Sequence, residues 1–488
     1  MPALSRRTLR TLACALPVLL AACGGGGDGD GDGGSLPPLS CSVIGGGGNS
    51  STPPPLDGSV SGLQNWLRGY MNDWYFWYRL APNPSPVGYG TVDAYFQALL
   101  YPGGDLIPDG GGAVWPSDRY SGYESTESFN RFFGAGQTLG YGVAVNGLEA
   151  VDQGETRLFI RYIEPASPAA LSGRLARGDE VLAINGIPAT TLIDQIANDT
   201  FTVLSPEQRG DAAQIDLRRN GTTERVTLNA EIFALTPVQN AQVLFTPNGR
   251  SIGYVMVKDM IDQARSPLDT AFASFRAQGV QDVVLDLRYN GGGLVSMACA
   301  LASYTAGSRA TGQTFAGLRY NDRKQSNNQD FLFTSNPAQW SGVGRVFVLT
   351  GQRTCSASEQ VINGLRGVGV NVVAIGDTTC GKPVGFLPQS DSFGTTYSVV
   401  NFESVNARNE GRYFSGFAPT PNCAVAEDLN RPIADLSDPL LVAAAHHIDT
   451  GNCPVVAGAR EAPQSRSVSP RARYNGADGG ERTGMSAR

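Results

Sequence analysis

Arg345-Val346-Phe347-Val348-Leu349-Thr350-Gly351-Gln352-Arg353-Thr354-Cys355-Ser356-Ala357-Ser358-Glu359-Gln360 passes from an apolar run, through a polar turn, into helical spacing. An uninterrupted apolar run of this length reads as a strand covered on both faces, as in a parallel sheet between helices. The turn delivers Ser356 to a helix start, where backbone N–H groups lack intrahelical partners. Ser356-x-x-Glu359 is also a capping box, in which each side chain satisfies a backbone donor. Capping and nucleophilic chemistry both fit this turn taken alone.

A second turn changes the balance. After the next apolar run, Val370–Ile375, comes Thr379-Cys380-Gly381-Lys382. Turns that follow neighbouring parallel strands converge on one crevice. A serine nucleophile needs a base, and the only histidines are the adjacent His446 and His447. Lys382 is the candidate, set among Pro383, Val384, Phe386 and Leu387 with no acid close by in sequence. An exposed lysine has a pKa of about 10.4, and lowering it by about three units requires about 4 kcal/mol of penalty on the ammonium, within reach of burial. A third turn, Asp286-Leu287-Arg288-Tyr289-Asn290-Gly291-Gly292-Gly293, follows the run Val280–Leu287. Its glycines allow backbone N–H groups close to a developing oxyanion. A phosphate loop is excluded, because no Gly-Lys-Ser/Thr follows. Gly292 and Ala357 are the candidate N–H donors.

Further strands are expected at Ser251–Val257, and helices at Leu294–Tyr304 and Glu359–Arg366, so residues 250–455 read as α/β. Upstream, Ser167-Pro168-Ala169-Ala170-Leu171-Ser172-Gly173 is a helix in miniature, with a hydroxyl cap, a first-turn proline and a terminal glycine. Gly178-Asp179-Glu180-Val181-Leu182-Ala183-Ile184-Asn185-Gly186 adds a strand and a hairpin turn. Aromatic residues at helical spacing between Gln64 and Leu80 predict a helix with its rings turned inward, followed by a short one at Val92–Leu100. Residues 24–58 hold little to bury and read as a tether, and those from 457 onward read as disordered.

The composition is that of a globular protein: 41% hydrophobic and 17% charged, with a net charge of −7. No dense basic run points to nucleic acid. Arg6, Arg7 and Arg10 precede the apolar run Leu12–Ala22, the shape of a secretory signal. Export permits disulfides. Cys423 could pair with Cys453, and Cys355 with Cys380, although connectivity is not fixed by sequence. No Cys-x-x-Cys or histidine cluster suggests a metal, and no cofactor is expected.

Leu20-Ala21-Ala22-Cys23 resembles the lipobox of bacterial lipoproteins, which implies lipidation of Cys23. Residues 134–232 resemble a PDZ domain. That resemblance makes Leu139-Gly140-Tyr141-Gly142 the loop that receives a peptide carboxylate; a hairpin that needs glycine for its bend is the plainer reading. Together, the Asp-Leu-Arg-x-Asn-x-Gly-Gly turn, the Ser-Ala-Ser-Glu turn and Thr-x-Gly-Lys resemble the C-terminal processing peptidases of family S41.

The resemblance implies an α/β crotonase-like (ClpP/crotonase) core, a PDZ domain and a small helical N-terminal cap. Ser356 would be the nucleophile, Lys382 the general base, and Gly292 and Ala357 the oxyanion hole, with Arg288 and Asn290 bracing the glycine turn. The implied organisation is a signal peptide over 1–22, lipidated Cys23 and linker over 23–58, cap over 59–132, PDZ domain over 133–233, catalytic domain over 234–456 and tail over 457–488. The implied function is an exported serine endopeptidase on a lipid anchor, facing the periplasm or cell surface. Its partners would be protein or peptide substrates and the outer or cell membrane, without nucleic acid. A non-catalytic peptide- or ligand-binding scaffold of the same fold is the alternative. The family often carries glutamine four residues after the lysine; this chain has Phe386, and Gln389 is the substitute candidate. Cysteines before both key residues would, if bridged, pin the two turns together. Packed thiols, or Cys355 itself as nucleophile, are the other possibilities.

Overall fold

The computed structural model describes residues 41–48, 52–55, 57–108, 110–335, 344–454 and 484–487. The signal segment, Cys23 and most of the predicted linker and tail lie outside them. Among the described residues, no helix is long and apolar enough to cross a membrane.

The N-terminal aromatic segment forms the helix Val60–Trp74, capped by the Ser59 hydroxyl on Gly62 N–H, and buries Trp66, Leu67, Tyr70, Met71 and Trp74. It ends six residues before the sequence periodicity predicts. Tertiary packing overrides the periodicity there: Trp77 stacks on Tyr101 and meets Trp115 edge-on, while the Tyr75 hydroxyl donates to Asp118 Oδ2 at 2.6 Å. The second helix, Val92–Leu99, matches its expected range. This aromatic cap shares one continuous apolar core with the α/β part.

Residues 137–234 hold a core of their own. Strands Val143–Val145, Leu158–Ile163, Glu180–Ile184, Ala212–Arg219 and Thr222–Asn229 lie in that order in one sheet, with Val143–Val145 at its edge. The strands Gln137–Gly140 and Glu231–Ala234 pair with each other and join the two ends of the module. The miniature helix forms over Pro168–Ser172, with Ser167 Oγ accepting from Ala170 N–H and Gly173 left-handed at φ +63. Asn185 and Gly186, at φ +50 and +77, make the expected hairpin turn.

The α/β part contains strands β1 (Val238–Phe245), β2 (Ser251–Val257), β3 (Asp282–Asp286), β4 (Gly292–Leu294), β5 (Arg345–Thr350), β6 (Asn371–Gly376) and β7 (Val384–Phe386). Its helices are α1 (Arg265–Ala277), α2 (Val295–Ala306), α3 (Ala357–Gly367) and α4 (Pro439–Thr450). One sheet runs β1-β2-β3-β5-β6, parallel except for β1. Side chains alternate between its faces. Val255, Val283 and Val346 join the core with α1, α2 and α3, whereas Tyr254, Val284 and Phe347 join the core with α4. Burial on both faces explains the unbroken apolar runs in the sequence.

A second sheet contains β7, β4 and, between them, a last strand β8 (Gly484–Ser486). The predicted disorder therefore fails at residues 484–487, because flanking strands supply the backbone partners that local composition lacks. The predicted tether likewise fails at Ser42–Gly45, which pairs with Gln329–Leu332, while Cys41 is bonded to Cys299. Cys355–Cys380 and Cys423–Cys453 are also joined.

Candidate active site

The three turns singled out in the sequence leave the carboxyl ends of adjacent strands: Leu287–Gly291 after β3, Gly351–Ser356 after β5, and Asp377–Lys382 after β6. Such ends of a parallel sheet are where α/β proteins assemble ligand crevices. Here the turns are bonded to one another. Cys355 N–H donates to Asn290 O at 3.1 Å and Cys380 N–H to Thr354 O at 3.0 Å. The Ser358 hydroxyl donates to Asn290 Oδ1 at 2.7 Å.

Glu359 is the centre of this arrangement. Its buried carboxylate accepts from Ser356 N–H, Gly381 N–H and Lys382 N–H, each at 2.8 Å, and from the Thr379 hydroxyl at 2.5 Å. Ser356 N–H and Lys382 N–H bond the same oxygen, Oε2, so their nitrogens lie within twice 2.8 Å of each other. Burial pushes the Glu359 pKa up, against the pull of these four donors.

Ser356 is wholly buried, and its hydroxyl has no hydrogen-bond partner. Ser356 and Glu359 stand in capping-box register, with the Glu359 half a 2.8 Å bond from Ser356 N–H. Its backbone, at φ +60 and ψ −114, is a conformation that costs a non-glycine residue about 1–3 kcal/mol.

Lys382 is buried at 1% exposure, with its Nζ 4.2 Å from the centre of the Phe386 ring and 5.7 Å from that of Tyr120. Burial pulls its pKa down from 10.5 to about 7, opposed by Asp118 and Glu359. The sequence around Lys382 carries no acid, yet the fold brings two to it. Both acids reach it through the fold, Asp118 from the N-terminal cap and Glu359 from the serine turn. Tyr120 of the same cap donates its hydroxyl to Gly381 O at 2.9 Å. The spacing of the site turns carries no sign of Asp118 or Tyr120; only the pairing of an acid with aromatic residues in a core-forming segment could have drawn attention to them.

Ala357 opens α3 as its first residue. Gly292 N–H donates to Asn290 Oδ1 at 2.8 Å, so this expected oxyanion donor is engaged within its own turn. Gly293, at φ +131, allows close approach of Met260, whose carbonyl oxygen would lie 2.3 Å from an added Cβ. Arg288 lies in a buried ion network with Asp286, Asp438 and Glu427. Asn290 Nδ2 donates to Val257 O at 2.9 Å. Both residues thus hold the glycine turn in place. Gln389 Oε1 accepts from Thr52 N–H at 3.2 Å. His447 packs edge-on against Phe347 from α4. Cys355, Glu359 and Cys380 cluster closely, but the two sulfurs are bonded to each other and offer no thiolates.

A cavity of about 440 Å³ opens beside the glycine turn, lined in part by Gly140, Gly142, Lys258, Gly292, Gly293 and Met485. Ser356 and Lys382 lie beyond its lining. Of the predicted peptide loop, Leu139, Gly140 and Gly142 line the cavity, while Tyr141 is buried in the module core. The carbonyls of Tyr141 and Gly142 accept from Ala169 and Glu164 N–H at 3.0 and 2.9 Å. An added Cβ at Gly142 would sit 2.0 Å from Ser167 Cβ. The module also reaches the serine turn, where Arg353 pairs with Glu149 through two 3.0 Å bonds.

Residues 251–413 match the model for peptidase family S41, and residues 62–122 match the peptidase S41 N-terminal domain. A carboxyl-terminal-processing protease of Picosynechococcus is 25% identical over 280 residues, 55% of this chain and 61% of that protein. The chain spans between half and about three fifths of the length of such curated relatives. A 66-residue stretch, 14% of this chain, is 41% identical to 2% of human PDZ domain-containing protein 2. A solved S41 protease structure from Bacteroides fragilis superposes with a TM-score of 0.58 at 26% identity, covering 79% of this chain and 97% of that one.

Proposed function

The chain belongs to peptidase family S41, a family of serine peptidases, and on that premise we propose that it is an endopeptidase cutting exported proteins through Ser356 and Lys382. The observation that carries the reading is the shared Glu359 oxygen, which holds the serine and lysine backbones together while the lysine is buried and the serine hydroxyl is unpartnered. Neutral Lys382 takes the hydroxyl proton as Ser356 Oγ attacks the scissile carbonyl. The resulting ammonium returns that proton to the leaving amine, which leaves an acyl-enzyme; water then enters with Lys382 again as base. Ala357 N–H faces the oxyanion, and Gly292 N–H joins it by exchanging Asn290 Oδ1 for the developing charge.

The finer architecture belongs to the same proposal: a crotonase-like core, and a PDZ module over 133–233 that receives substrate at Leu139-Gly140-Tyr141-Gly142. That loop supports the reading through its place on the cavity beside Gly292. The three disulfides among the described residues suit an oxidising compartment, and the signal-like N-terminus with Cys23 suits a lipid anchor. Purified protein starting after Cys23 should cut denatured, tagged test proteins, and Ser356→Ala and Lys382→Ala should abolish cutting while leaving thermal unfolding cooperative. Cutting retained by either variant refutes the dyad. A fluorophosphonate probe that labels the wild type no more than Ser356→Ala would instead indicate a peptide-holding scaffold.

A further inference from the structure

The strand Gly484–Ser486 lies between β4, which leads out of the glycine turn, and β7, which follows Lys382. It runs parallel to both, with Gly484 opposite Gly292, Met485 opposite Gly293, and Ser486 opposite both Leu294 and Phe386. Ala487 N–H continues the pairing to Phe386 O at 3.0 Å. Met485 is fully buried and Ser486 is 3% exposed. Gly385 allows the close approach, since an added Cβ there would sit 2.8 Å from Met485 O. Helix α3, which begins just after Ser356, also packs against this strand.

Without this segment, β4 and β7 would present two facing strand edges with unmet N–H and C=O groups beside an apolar hole. Such a gap takes an extended chain, by the edge pairing through which sheets capture peptides. Its register sets the occupant's backbone against Gly292. We propose that this gap is a peptide slot selecting an unbranched apolar side chain at the Met485 position, and that residues 484–487 occupy it in cis and compete with substrate. The inference rests on the peptidase reading for its consequence, while occupancy of the slot stands apart from it.

The test compares fluorophosphonate labelling of Ser356 in the full chain, in a chain ending at Thr483, and in full-length Met485→Asp. Both altered chains should label at least tenfold faster than the full chain. The peptide Thr-Gly-Met-Ser-Ala should slow the shortened chain again, and the same peptide with Asp for Met should not. Equal rates in all three chains would overturn the inference while leaving the peptidase reading intact. Faster labelling of the full chain on dilution would overturn occupancy in cis. If no chain is labelled, the peptidase reading fails, and fluorescence anisotropy of the labelled peptide decides the slot separately. Saturable binding to the chain ending at Thr483, but not to the full chain, upholds occupancy; no binding to either overturns it.

Discussion

Titrating the lysine tests the proposed chemistry at its most exposed point. A lysine at its ordinary 10.5 is neutral in about three molecules per ten thousand at pH 7, whereas Lys382, pulled down to about 7, is neutral in about half. The rate of Ser356 labelling should therefore rise with pH through about 7 and level off by about 9. Lys382→Met keeps the apolar stem and removes the base, so labelling should fall by about three orders of magnitude or more and lose this limb. Lys382→Arg keeps the charge without a usable deprotonated form and should be equally silent.

Stability supplies an independent reading of the same group. A shift from 10.5 to about 7 corresponds to about 5 kcal/mol of penalty on the buried ammonium. The unfolded chain binds the proton more tightly, so the penalty is fully present below about pH 7 and is relieved as pH rises toward 10.5. Lys382→Met should be more stable than wild type at pH 6, by up to about 5 kcal/mol, a figure already net of the attraction of Asp118 and Glu359, and the gain should shrink with rising pH. Burial also raises Glu164, at the cavity edge, to about 7, so Glu164→Gln should be measured alongside and should keep the limb. A limb near 10, or Lys382→Met labelling at the wild-type rate, refutes the reasoning.

Replacing Glu359 with Gln puts an amide where several N–H donors converge on a carboxylate; chemical denaturation should show a loss of about 2–4 kcal/mol. Any residual labelling should have its pH limb shifted downward, because Glu359 raises Lys382. The Cys355–Cys380 bridge closes a sequence separation of 25, so the double Cys→Ser variant should lose about 3 kcal/mol by chain entropy, read as a lower Tm, with slower labelling as the two turns part. Gly381→Ala requires a Cβ 2.2 Å from Phe414 O at φ +82, which should lower stability by about 2 kcal/mol or more and abolish labelling; a wild-type Tm would show that the turn can rearrange.

Legibility from sequence followed the range of the forces involved. The helix Pro168–Ser172 and the Asn185–Gly186 turn rest on bonds between near neighbours, and the apolar runs of β2, β5 and β6 report burial that any parallel sheet imposes. The convergence of the serine and lysine turns could be expected because adjacent strands carry them. What the sequence concealed acts across long separations. Asp118 and Tyr120 reach Lys382 and Gly381 from an aromatic cap, Cys41 reaches Cys299 across a separation of 258, and Gly484–Ser486 pairs with strands β4 and β7, far away in sequence.

Glu359 is the instructive intermediate case. Its capping-box spacing is local and readable, and its bond to Ser356 N–H forms. The same carboxylate also collects Thr379, Gly381 and Lys382, partners that exist only once β6 lies beside β5. A buried carboxylate with one donor would be a costly cap; four donors offset part of the penalty of full burial, although burial still holds its pKa up. Reading the motif as a cap or as catalytic thus poses a false choice: the cap is what fixes the serine amide, and the same oxygen fixes the lysine amide. Dissecting Glu359 and Lys382 in a double-mutant cycle should therefore yield strongly non-additive losses of labelling. Additive losses would mean that the carboxylate and the amine serve separate ends.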